Sequence, residues 1–137
     1  MAALARAWQR PRGFWLDVAP AVLYFAVLFW FGLTPLKKLP GPDFALVDKV
    51  WHAGAFAGLA ALLSRVLLYA RRPPLSAARA GAWCSVALGG LLEVLQSFTA
   101  YRSADVVDFV ADALGAALAY WLLRGLCQAA RTEPQAG

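Results

Sequence analysis

The residues able to do chemistry are few, and they fall in three short runs. Asp48, Lys49 and His52 stand at the head of one apolar stretch, Glu93 and Gln96 at the foot of the next, and Arg102, Asp105, Asp108 and Asp112 around the opening of the last. Carboxylates beside an imidazole can shuttle protons or grip a ligand. In that chemistry His52, Glu93, Asp105 and Asp108 are the catalytic or ligand-contact candidates, and Arg102 is an anion contact. Asp48, Lys49, Gln96 and Asp112 accompany them as binding or structural groups. No nucleophile stands in a triad context, and there is neither a phosphate loop nor a cofactor motif, so no cofactor is expected. One histidine with several carboxylates could hold a hard or borderline divalent ion. Without a second histidine or a cysteine pair, zinc has a poor ligand set, and no metal site is assigned from the sequence.

These groups need elements that hold them at one level. The chain has 137 residues, 61% hydrophobic and 15% charged, where a soluble domain carries about 25% charged residues. Four apolar stretches, 14–33, 50–70, 77–97 and 106–126, each run for about 20 residues, or about 30 Å as helix, which matches the hydrocarbon core of a bilayer. Helix is the expected state, because lone strands leave their backbone unsatisfied in lipid. The reading is therefore an all-α integral membrane bundle of four transmembrane helices, in one domain over 14–127. It is preceded by a basic segment, 1–13, able to lie at the interface, and followed by a polar, disordered tail, 128–137. The first stretch follows Arg6, Arg10 and Arg12 and lacks a small-x-small cleavage site, so it is expected to stay as an uncleaved span.

Proline and glycine mark the first two breaks, at Pro35–Pro42 and Arg71-Arg72-Pro73-Pro74. Four spans place both termini and the second loop on one side. That side carries nine of the thirteen basic residues, including Arg65, Arg79 and Arg124 near span ends; Lys37, Lys38, Lys49 and Arg102 lie on the other. The excess predicts cytoplasmic termini, with Arg65, Arg79 and Arg124 reaching to the cytoplasmic interface. The basic residues are too dispersed for a nucleic-acid patch. Cys84 and Cys127 fall inside apolar runs and read as small filler. Asp17, one turn into the first span, is explained by a local contact with Arg10 or Arg12. Gly54 and Gly58, four apart, could form a homo- or hetero-oligomer face, and Gly115 with Ala119 repeats the spacing.

On helices the polar runs converge. His52, Glu93 and Gln96 fall near the outer ends of their spans. Asp105, Asp108 and Asp112 follow at i, i+3 and i+7, one narrow stripe that continues into Gly115 and Ala116. Asp105 can cap its helix. Asp112 is nearly two turns in, too deep to cap, and must be hydrogen-bonded, protonated or wet.

The runs Asp48-Lys49-Val50-Trp51-His52, Glu93-Val94-Leu95-Gln96 and Arg102-Ser103-Ala104-Asp105-Val106-Val107-Asp108 resemble, in this order, the VanZ-like membrane protein family. That family opens one span with D-K-x-x-H, ends the next with E-x-x-Q and opens the last with R-x-x-D-x-x-D. It usually continues with Asn and a Gly-Ala pair; here Asp112 stands in the Asn position, followed by Gly115-Ala116. An ionised aspartate accepts hydrogen bonds but cannot donate them. The resemblance spans about half the chain, Asp48 to Ala119, and the Thr34-Pro35 end of the first span also resembles the family. It implies a bacterial protein of the cytoplasmic membrane with four or five spans, similar to a factor that lowers susceptibility to the lipoglycopeptide teicoplanin. The family's chemistry is not settled, so the resemblance brings no reaction with it.

Two functions compete. In one, the polar end binds or processes a lipid, lipid-linked or cell-wall component. In the other, the same residues are a helix clasp in a non-catalytic scaffold or partner protein. A fully paired, dry cluster would favour the clasp, and a pocket open to the outer face would favour the site. A transporter fits less well, since no span is broken midway.

Overall fold

The computed structural model describes residues 2–35, 44–100 and 105–132. All regular structure among them is helical, and four helical stretches are long and apolar enough to cross a membrane. Lys37, Lys38, Arg102 and Ser103 lie outside the described residues.

The first span covers Phe14–Leu33 and is two helices in line, α2 (Phe14–Asp17) and α3 (Ala19–Leu33). The interruption at Val18 has a local cause. Pro20 has no amide hydrogen to give the preceding turn, so the ladder restarts around it. Ahead of it, α1 (Ala2–Gln9) is strongly amphipathic, buries Ala5 and packs against α6.

α4 (Phe44–Tyr69) starts about two turns before the expected 50, so Asp48, Lys49 and His52 are all helical. Its C-terminus is set by the chain that follows. Arg71 takes a left-handed φ of 63°, and the amides of Arg72 and Arg71 close onto the carbonyls of Leu67 and Leu68. That pattern satisfies the last-turn acceptors, and two prolines then prevent continuation. α5 (Pro74–Ser97) begins at the second of them, where a missing amide hydrogen costs nothing. α6 (Val106–Thr132) continues past the expected end at 126.

α4 has almost no amphipathic bias, as suits a helix covered on several sides. It packs on α5 and α6, which also pack on each other, while the first span lies against α4 and α5 and is the least covered. Phe56, Leu59 and Leu92 form the core beneath Tyr24, Phe25 and Leu28 of α3. Small residues close the other interfaces. A Cβ on Gly115 would stand 2.6 Å from the Ala53 carbonyl carbon, so α6 reaches α4 there only because position 115 lacks a side chain. Gly58 faces Tyr24 within the same molecule, whereas Gly54 is exposed with open space above it. The two glycines therefore do not form one free face, since the first span already covers Gly58.

Candidate functional site: a polar cup between α4, α5 and α6

The cup sits where the first turns of α4 and α6 meet the last turns of α5. Asp105 caps α6 by accepting from the Val107 amide at 2.8 Å. Its own amide donates 2.7 Å to Glu93 Oε2 on α5. One residue thus ties the start of α6 to the end of α5. Asp105 lies outside the spans, and the Val107 amide, then Lys49, hold its carboxyl below the usual carboxylate range.

Helical spacing turns Asp105, Asp108 and Asp112 toward α4, and α4 answers with Lys49 and His52. Lys49 Nζ bonds Asp108 and, at 3.2 Å, Asp105 Oδ2. It also stands 3.6 Å from Asp48. One turn deeper, His52 Nδ1 lies 2.9 Å from Asp112 Oδ1, while Nε2 faces Asp108 Oδ2 at 3.8 Å. The imidazole is therefore held between two carboxylates on one helix. Asp112 fits because position 89 of α5 is glycine; a Cβ there would meet Asp112 Oδ2 at 3.0 Å.

The cup is graded from wet to dry. Side-chain exposure falls from 45% at Asp48 and Asp105, through 25% at Lys49, to 15% at His52 and 0% at Asp112. Glu93 is also buried, at 6%. Two buried oxygens at the base, Glu93 Oε1 and Asp112 Oδ2, have no hydrogen-bond partner among the described residues. One ligand atom each from His52, Glu93 and Asp112 lies within 4.8 Å of the others, and the same is true of Asp48, His52 and Asp108. Beside Glu93 and Asp105, a shallow groove of ≈ 250 Å³ runs between α5 and α6, floored by Gly90, Val106 and Phe109.

Of the nine residues singled out by spacing, seven gather here. Arg102 lies outside the described residues. Gln96 turns elsewhere: its Nε2 donates 2.9 Å to the Gly32 carbonyl and ties α5 to the end of the first span.

A second polar cluster lies about 20 Å away along α4, the rise of the thirteen residues from His52 to Arg65. Arg65 does not reach out to the interface, and Asp17 has, besides the expected local contact with Arg12, a distant partner in Arg65. Arg65 is buried and turned inward, bonding Asp17 through Nε at 3.0 Å and through Nη2. It also donates to the carbonyls of Trp8 and, at 2.9 Å, Arg10. Asp17 in turn accepts the backbone amides of Arg12 and Gly13 at 2.6 and 3.2 Å. Arg12 contributes its main chain, not its charge. The pair is 48 residues apart, so only an acid inside an apolar span hinted at it.

A family model described as VanZ/LLP1 matches residues 26–128. The chain belongs to the VanZ/LLP1 family. Comparisons with curated proteins and with solved structures give no match. The matched stretch contains every residue of the cup, and Arg65, but not Asp17, α1 or α2. As a multi-pass VanZ-like membrane protein, the chain therefore carries the seven cup residues on or at the ends of three helices that the bundle brings together.

Proposed function

We propose that this VanZ-like protein presents its polar cup at the outer face of the bacterial cytoplasmic membrane. There it binds or processes an amphiphilic lipid or cell-wall component, and so bears on glycopeptide tolerance. The observation that carries this reading is the adjacency of a half-open charged rim to an apolar groove. Lys49, Asp105 and Asp48 are accessible at the rim, and the groove floored by Gly90, Val106 and Phe109 starts beside Glu93. A polar headgroup on the rim and a hydrocarbon segment in the groove would both be served, and lining of this mixed kind is what small-molecule sites use. His52, Glu93, Asp105 and Asp108 are the groups that would contact the ligand or move protons. The orientation rests on the excess of basic residues beside the termini and the second loop, which favours a cytoplasmic position for that side.

The test is to replace Glu93 and Asp108 separately with alanine, quantify membrane insertion, and measure lipoglycopeptide tolerance of the host. Normal insertion with lost tolerance is expected. If both variants insert normally and keep full tolerance, the site has no such role. If abundance falls first and activity per molecule is kept, the cup is a clasp.

A further inference from the structure

The base of the cup holds more negative charge than the described residues beside it answer. Five carboxylates, from Asp48, Glu93, Asp105, Asp108 and Asp112, face Lys49 and His52. Lys49 spends its charge on the rim, on Asp48, Asp105 and Asp108. Among the described residues, the two deepest carboxylates have His52 and one backbone amide, and each keeps one buried oxygen with no partner there. Leaving such oxygens bare is costly, since a buried anion needs a counter-charge or full hydrogen bonding.

We propose that His52, Glu93 and Asp112 bind one divalent transition-metal cation of the zinc class. The charge closes: two carboxylates and a neutral imidazole balance a dication. The geometry is near closure as well. Tetrahedral ligands about 2.1 Å from a shared ion lie about 3.4 Å apart, so His52 Nδ1 and Asp112 Oδ1, 2.9 Å apart, need to separate by only about 0.5 Å to share one. Glu93 joins the set with all three ligand atoms within 4.8 Å of one another. The second ring nitrogen then faces Asp108 at 3.8 Å, the outer carboxylate that typically orients a metal-bound histidine. An imidazole in the set selects a borderline ion over calcium or magnesium, which take oxygen ligands. Three protein ligands leave a further position open toward the groove beside Glu93. A single histidine and no paired cysteines argue against a metal in the sequence alone. What alters the balance is that α5 and α6 each bring to that histidine a buried carboxylate with one oxygen unpartnered among the described residues. The inference does not depend on which ligand the rim takes.

The experiment uses tag-free protein in nanodiscs, stripped by chelator and reloaded with Zn²⁺ or Mn²⁺. One equivalent should bind, and it should raise the melting temperature. Glu93→Gln and Asp112→Asn should each weaken binding at least about 10-fold. In the Mn²⁺ form, electron spin-echo modulation should show one coupled imidazole nitrogen, which can come only from His52, the sole histidine. This readout needs no variant and decides the matter even if the substituted proteins fail to fold. Absence of stoichiometric binding, binding that survives both substitutions, or a Mn²⁺ spectrum without nitrogen coupling would each overturn the proposal. Carboxyl groups balanced by protons rather than by an ion would give the first of these results. Lost drug tolerance with intact metal binding would leave the site and refute only a shared role.

Discussion

Replacing Arg65 with methionine should destabilise this protein more than any single change at the cup's rim. Methionine keeps most of the apolar stem and removes the guanidinium. Asp17, which is 0% exposed, then keeps only the amides of Arg12 and Gly13. The carbonyls of Trp8 and Arg10 lose their donor at the same time. Removing one partner of a buried ion pair typically costs about 3–5 kcal/mol, because the other charge stays behind unpaired. Adding Asp17→Asn to that background removes the orphaned charge, so the double variant should be no less stable than Arg65→Met alone. Equilibrium unfolding in bicelles reads the three stabilities. Trypsin cleavage at the Arg12–Gly13 bond reports whether α1 comes loose, since Arg65 is what binds the chain between α1 and α2. The reasoning fails if Arg65→Met unfolds within about 0.5 kcal/mol of the parent, or if Asp17→Asn adds its full separate cost in the double variant.

Two further outcomes follow from the same geometry. Asparagine caps a helix about as well as aspartate, so Asp105→Asn isolates the charge that Lys49 and the Val107 amide favour. Because the folded-state pKa of Asp105 lies below its ordinary value of 3.8, its contribution is fully present above that value and is lost as pH falls through the lower, folded one. Melting curves of parent and variant should therefore differ by a constant amount near neutral pH and converge only below about pH 4. Gly115→Ala should cost about 1–3 kcal/mol by forcing α6 off the Ala53 carbonyl, while Gly54→Ala, which meets open space, should leave unfolding unchanged. An equal effect at both positions in the monomer would show that the close approach at 115 is not what matters.

The spans were legible because hydropathy and length are properties of each segment alone. So was the convergence of Asp48, Lys49, His52, Glu93, Asp105, Asp108 and Asp112, since helical spacing puts them at one level once four spans are accepted. Their pairing was not legible. Whether His52 meets Glu93 or Asp112 depends on the rotation of α4 against α6, and that is fixed by Gly115 on Ala53 and Gly89 under Asp112. Gln96 shares a helical face with Glu93 in the sequence, yet it lies one turn nearer the end of α5, where the first span is the neighbour. The pairing of Asp17 with Arg65 was hidden for the same reason. A long cationic side chain near a span end can reach water, and only the packing of α2 on α4 and of α1 on α6 reveals a better partner inside.

That hidden pair also bears on what the cup is for. The protein contains an unambiguous clasp, and its chemistry is complete. Both oxygens of Asp17 accept two bonds each, and Arg65 divides its donors among a carboxylate and two carbonyls that otherwise end a helix. The cup, built in the same bundle, is held to no such standard. Its rim pairs are partly exposed, and among the described residues Glu93 Oε1 and Asp112 Oδ2 at its base find no partner. Selection for stability alone would favour replacing one of those acids with an amide or an apolar residue, since incomplete buried networks cost more than none. Two carboxylates beside one histidine, each with an oxygen unpaired among the described residues, make sense if something arrives to meet them. The sharpest discriminator is therefore stability without ligand or metal. Asp112→Asn should leave the stripped protein as stable as the parent or stabilise it, whereas Asp17→Asn should weaken it by about 1–3 kcal/mol. If Asp112→Asn costs as much as Asp17→Asn in stripped protein, the two clusters do the same work and the cup is a second clasp.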